Sequence, residues 1–221
     1  PTSYVLTLNN GASKSMGQYS TGINATFNNP DYPSTLSVGF SSALKNDDDQ
    51  LFNPILKAFN GTYSTSLGDD GLIFSLGGIY AIAKPQGSLK SLGVLSRSYS
   101  LAPRLRYTIK RSRAESYYIE SGLNVARSET FLLDSSTTKD KLTVFDLVFS
   151  VTNDIWFGGN TQLNFTIAQG LDLFDSRSDS INLPGPSIAN FKQKFLKYKF
   201  SGSHTLPIKK ISSKLKINAQ A

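Results

Sequence analysis

The sequence contains no cysteine, so disulfides, thiolate metal sites and a cysteine nucleophile are excluded for these residues. It has one histidine, His204, too few for a histidine metal cage. In the turn-like context Ser203-His204-Thr205 it reads as an exposed turn residue and a poor member of a Ser-His-Asp triad. No run of about 18 apolar residues occurs, the length an ordinary membrane-spanning helix needs. No helical periodicity and no signal peptide are visible. The chain starts Pro-Thr-Ser without a Met, which leads us to expect a mature product or a fragment.

What is present is alternation. In Tyr19–Asn28 the residues Tyr19, Thr21, Ile23, Ala25 and Phe27 share one face, and Ser20, Gly22, Asn24, Thr26 and Asn28 share the other. A period of two marks a β-strand with one greasy and one wet face. Soluble sandwiches carry denser Val/Ile/Leu faces on shorter strands. Transmembrane barrels turn the apolar face to lipid, set aromatics near the interfaces and keep the lumen polar. A hydrophobic content of 39% and a mean hydropathy of −0.21 agree with that, because alternating strands average out.

The pattern repeats along the chain. Leu36, Val38 and Phe40 oppose Ser37, Gly39 and Ser41; Phe59 and Tyr63 oppose Asn60 and Thr62. Gly68-Asp69-Asp70-Gly71 is a hairpin turn. Leu101, Leu105 and Tyr107 oppose Ser100, Arg104 and Arg106, with Pro103 expected at a bulge or kink. After a strand over Tyr117–Val125 a longer polar loop is expected, then a strand with Phe145, Leu147 and Phe149 outward and Asp146 opposed. Asp172 to Asn190 reads as a long loop. Near the C-terminus Leu196, Tyr198 and Phe200 alternate with Lys197 and Lys199, and Leu215 and Ile217 with Lys214 and Lys216. This gives about eleven strands, most near the roughly ten residues that a tilted strand needs to cross a bilayer. Their connections alternate between short turns and longer loops, as in outer-membrane barrels. The fold expected is all-β: an antiparallel transmembrane barrel in meander order.

The formal net charge of +7 suits anionic partners such as nucleic acid, lipid headgroups or acidic protein. Lys197, Lys199, Lys214 and Lys216 are expected together on the lumen face of neighbouring strands, and Arg104, Arg106 and Lys110 earlier in the chain. Two readings compete: a charged pore wall that guides an unfolded polypeptide, or ordinary polar lining paired to acidic residues. Tyr19, Phe27 and Trp156 (with Phe157) are the interfacial aromatic candidates. Asp47-Asp48-Asp49 lacks the alternating ligand spacing of a calcium loop and reads as a solvated tip. Glu120 and Asp146 could be a catalytic carboxylate pair, but on neighbouring lumen faces they read better as neutralising arginines. No catalytic, cofactor or metal residue is predicted.

Several segments resemble one family. Asn9-Asn10-Gly11 with Gly17-Gln18-Tyr19, and a strand ending at Asn28-Asn29-Pro30, resembles the "DN-x-G…G-x-Y" barrel start of two-partner secretion transporters (TpsB), the hemolysin secretion/activation family. Tyr63 to Gly71 resembles its "Y-S-x-P-L-G-x-x-G" hairpin, without the proline. Ser96 to Arg113, with Pro103 and Arg111-Ser112-Arg113, resembles "L-x-Y-P-L-x-R-S-R". Ala219-Gln220-Ala221 is similar to "G-Q-x-A".

The resemblance implies a non-enzymatic outer-membrane transporter that moves a hemolysin- or adhesin-like polypeptide. Its partners are that polypeptide and outer-membrane lipid, with no nucleic acid and no cofactor. The family joins periplasmic POTRA domains to a sixteen-stranded barrel with a long loop tipped by Arg-Gly-Tyr or Arg-Gly-Phe. Residues 1–221 are therefore expected to be part of such a barrel, incomplete at about 11 of 16 strands, with the POTRA domains and last strands elsewhere. The alternatives are a general porin or structural barrel passing small solutes, and more distantly a soluble anion-binding β-sandwich.

Overall fold

A computed structural model describes residues 2–10, 19–44, 55–85, 87–174, 193–208 and 213–220. The fold is a single eleven-stranded antiparallel sheet in which every strand pairs with its neighbours in sequence, β1 to β11 in order. The strands are β1 (Thr2–Asn9), β2 (Tyr19–Asn28), β3 (Ser34–Leu44), β4 (Leu56–Leu67), β5 (Leu72–Ala83), β6 (Leu95–Arg111), β7 (Glu115–Leu132), β8 (Ser135–Asn153), β9 (Asn160–Leu171), β10 (Leu196–Ile208) and β11 (Ser213–Gln220). Two short 3-10 helices, Gly87–Leu92 and Trp156–Gly158, sit in connections. Among the described residues no helix is long and apolar enough to cross a membrane, which leaves spanning by strands untouched.

The connections sort to two ends. Residues 29–33, 68–71, 112–114 and 154–159 make short turns at one end. Connections 10–18, 45–55, 84–94 and 172–195 join strands at the other end and are longer, with the two-residue β7–β8 turn at 133–134 the exception there. The Asp172 to Asn190 segment falls largely outside the described residues, as does the Asp47–Asp49 run. At the 68–71 turn, Gly68 and Gly71 take φ of 72° and 76°, a backbone that glycine adopts without steric cost.

Four expectations are corrected. The polar loop expected after Val125 is strand: β7 runs on to Leu132 and β8 starts at Ser135. Between them Leu133 and Asp134 hold φ of 49° and 62°. Two consecutive positive φ values are the requirement of a type I′ hairpin, but the usual Asn-Gly or Asp-Gly is absent, and a run of Thr, Ser and charge concealed the pairing. The bulge expected at Pro103 lies instead between Thr108 and Lys110, and it sets Lys110 opposite Tyr117 on the apolar face, not on the lumen face with Arg104 and Arg106 as expected. Pro103 pairs in register with Leu76, while the β6–β7 ladder passes over Ala102 and Pro103 without slipping. Finally, His204 is not an exposed turn residue. It lies within β10, half-buried, with Nδ1 and the Thr161 hydroxyl 2.8 Å apart. Gly202 and Pro207 gave that stretch the look of a turn.

The sheet is inside-out relative to a soluble domain. Among the described residues the buried apolar side chains are Ala43, Ile55 and Val151, whereas Tyr4, Leu6, Ile23, Val38, Phe59, Leu101, Phe149 and Phe165 are exposed. On the opposite face Asp146 and Ser150 are buried. A sheet that covers its polar face and bares its apolar one is stable where the apolar face meets lipid. The antiparallel meander is thus a section of barrel wall.

Candidate functional site: a charged wall on the polar face

Strand register assembles the site. On the polar face one row runs Ser75–Arg104–Gly122–Asp146–Ala168–Lys197 across β5 to β10. The adjacent row runs Ile73–Arg106–Glu120–Val148–Thr166–Lys199. Alternation alone places these residues on one face; antiparallel pairing brings them level.

The arginines and carboxylates interlock. Arg104 donates from Nη1 to Glu120 Oε1 at 3.0 Å and to Asp146 Oδ2 at 2.7 Å, and from Nη2 to Asp146 Oδ1 at 3.3 Å. Arg106 donates from Nε to Glu120 Oε2 at 2.8 Å and lies with its guanidinium 4.7 Å from the Tyr118 ring centroid. Arg104 on β6 therefore reaches across β7 to β8. Gly122 makes this path: a Cβ there would stand 2.9 Å from Arg104 Nη1 and 3.2 Å from its Cγ. Bidentate guanidinium–carboxylate pairing fixes geometry as well as charge. The carboxylates are the more covered partners, with side chains 13% and 12% exposed against 32% for Arg104. The expectation that Glu120 and Asp146 neutralise nearby arginines describes what they do.

Lys197 and Lys199 close the same two rows and are exposed. Counted over the rows, four cations face two carboxylates, and each arginine already has a carboxylate. The lysines supply the net positive charge of this stretch of wall. The expected grouping with Lys214 and Lys216 is not close. Those residues pair in register with Pro207 and Thr205, at the far end of β10 from Lys197 and Lys199. Their side chains lie outside the described residues.

The aromatic candidates occupy the opposite face or the turns. Tyr19 and Phe27 bound β2 and are 44% and 40% exposed. Phe27 meets Tyr4 edge to face with centroids 6.5 Å apart. Trp156 starts the short helix of the β8–β9 turn, its backbone N–H donating to Asn153 Oδ1 at 2.8 Å. The Phe157 side chain lies outside the described residues. Sequence reasoning missed Gly122 and Tyr118 as parts of the site. Nothing in the sequence marks Gly122, because its role depends on which residue of β6 stands beside it.

Among the described residues no group of acidic or histidine side chains is arranged to hold a metal ion. The sequence model of the haemolysin secretion/activation proteins ShlB/FhaC/HecB matches residues 1–221, the whole chain. The chain belongs to the haemolysin secretion/activation family. That family consists of outer-membrane β-barrel transporters of two-partner secretion, so this member belongs to the Gram-negative outer membrane. Solved structures agree on the fold. CdiB from Escherichia coli superposes with a TM-score of 0.75 at 19% identity over 94% of this chain and 38% of its own. CdiB from Acinetobacter baumannii gives 0.58 at 17% identity over 100% of this chain and 38% of its own. The chain thus spans 38% of the length of each of these structures. No curated protein sequence matches it.

Proposed function

We propose that these eleven strands form part of a larger outer-membrane barrel that passes an extended partner polypeptide, hemolysin- or adhesin-like, to the cell surface. Further strands close the barrel between β11 and β1, and POTRA domains belong to the same protein. A membrane sheet with unpaired edges leaves backbone N–H and C=O groups in hydrocarbon at several kcal/mol each, so closure is required. The barrel is a passive conduit without a cofactor or catalytic group.

The observation that carries this reading is the ion-paired wall of Arg104, Arg106, Glu120 and Asp146 flanked by exposed Lys197 and Lys199. Paired charges keep the lumen hydrated without a strong field of one sign. An unfolded chain finds water and exchangeable hydrogen-bond partners there, but no apolar surface on which to stick. Lys214 and Lys216 are proposed to extend that lining. The test is secretion of the partner by the full-length protein carrying Lys197→Glu and Lys199→Glu, read beside single-channel conductance. Reduced secretion with a full-sized but altered conductance supports the reading. Altered ion selectivity with undiminished secretion would instead favour a porin-like pathway for small solutes.

A further inference from the structure

The apolar face changes character at the long-loop end, in a way that transport does not use. Register aligns Phe40, Phe59, Tyr80 and Tyr99 in one row across β3 to β6. The same row continues through Arg127 on β7 to Lys141 on β8. One step further toward the loops, Lys57, Ile82, Arg97, Glu129 and Lys139 form the next row. A belt of rings is thus edged by a band of cations on the side that faces lipid.

We propose that this band is a binding site for a phosphorylated glycolipid headgroup of the outer leaflet, built from Arg97, Arg127, Lys139 and Lys141. These side chains line a cavity of about 300 Å³ floored by Tyr80 and Tyr99. Cation–π contacts hold two of the cations in place: Arg97 lies 5.3 Å from the Phe131 centroid and Arg127 5.9 Å from that of Tyr99. Arg127 also donates from Nη2 to the Phe174 carbonyl at 3.0 Å, which orients its fork and leaves other N–H groups to donate. Two carboxylates, Glu129 and Asp140, also line the cavity; Glu129 stands 3.8 Å from Lys139 and accepts from the Ser136 hydroxyl at 2.8 Å.

Charge complementarity selects the occupant. Four cations against two carboxylates leave the cavity net positive, and guanidinium forks match phosphate oxygens. The tyrosines below it sit where amphipathic rings settle, at the boundary between headgroup and acyl chain. A ligand held there has its phosphates at the cations and its chains along the apolar face. At the opposite rim the lipid-facing Lys110 is matched one to one by Glu115, whereas the cations lining the cavity outnumber its carboxylates two to one. The long-loop end of such barrels is the extracellular one, so the cations meet the outer leaflet. The site rests on the outer-membrane placement of the barrel and not on polypeptide translocation.

The test uses the full-length protein in detergent, titrated with a bisphosphorylated hexa-acyl glycolipid and read by native mass spectrometry. We expect retained glycolipid on the parent protein. Binding should be at least tenfold weaker after Arg97→Gln, Lys139→Gln and Lys141→Gln combined, and unchanged after Lys110→Gln. Far-UV circular dichroism verifies that each variant is folded, and the single Arg97→Gln variant serves if the triple is not. Equal retention by the triple variant would overturn the proposal. So would equal binding of the dephosphorylated glycolipid, equal binding of phosphatidylglycerol, or displacement by millimolar inorganic phosphate. Partner secretion is a separate readout: a protein that retains glycolipid but secretes nothing contradicts the transport reading and leaves this one standing.

Discussion

Between β2 and β5 the polar face is held by hydroxyls and amides, whereas between β6 and β8 it is held by ion pairs. In the first region Thr26 and Ser37 share a hydrogen bond of 2.7 Å and Thr35 donates to Asn28 Oδ1 at 2.8 Å. Asn24 and Asn60 flank Gly39, which leaves them the room between strands. In the second region Arg104 alone joins three strands through Glu120 and Asp146. The backbone architecture is the same in both. The neutral region distributes small interactions over many positions, so each one matters little. The charged region concentrates them, so the loss of one partner strands another.

The largest effect is expected where the two faces, rather than the two regions, are confused. Val38→Lys puts a charge on the apolar face at mid-strand, where Val38 is 42% exposed. It should destabilise the folded barrel in lipid by about 2–4 kcal/mol, read by reversible urea unfolding in vesicles. Within the charged wall, Asp146→Ala leaves the Arg104 fork with Glu120 alone and should cost about 1.5–3 kcal/mol. A double-mutant cycle with Arg104→Gln should return a coupling of about 0.5–3 kcal/mol, and additivity would show that the pair is only proximity. Gly122→Val fills the path of Arg104 and should cost about 1–3 kcal/mol through overpacking. In the neutral region Thr26→Val removes one hydroxyl bond and should cost about 1 kcal/mol. Smallest of all, Gly77→Ala in β5 adds a Cβ whose nearest neighbours would be 3.9 and 4.0 Å away. It should move stability by no more than about 0.5 kcal/mol. If Gly77→Ala and Gly122→Val cost the same, the contrast between the two regions is lost.

Much of this was legible in the sequence, for a physical reason. An alternating strand writes its two faces directly into residue order, so Tyr19–Asn28 was delimited from sequence as the structure has it. The Gly68–Gly71 turn carried its own chemistry. The pairing of Glu120 and Asp146 with arginines could be anticipated because all four sit on one parity of neighbouring strands. What sequence could not supply is register. It puts Lys197 and Lys199 level with Arg104 and Arg106, and Lys214 and Lys216 at the other end of β10. It also makes Gly122 a gap for an arginine. The Leu133–Asp134 turn was missed because it has the backbone of a type I′ hairpin without its residues.

The central claim is that one face of this sheet meets water and the other meets lipid. Residues 1–221 contain no cysteine, so single cysteines can be placed in this stretch one at a time, with any cysteine elsewhere in the full-length protein replaced. Labelling by a membrane-impermeant maleimide should be measured on the full-length protein in vesicles, at Ser37, Thr62 and Thr166 on one face and Val38, Leu76 and Ile167 on the other. The account predicts rapid labelling at the first three and protection at the second three, a period of two along and across the strands. Equal labelling of both sets, or protection of the polar face alone, would contradict it.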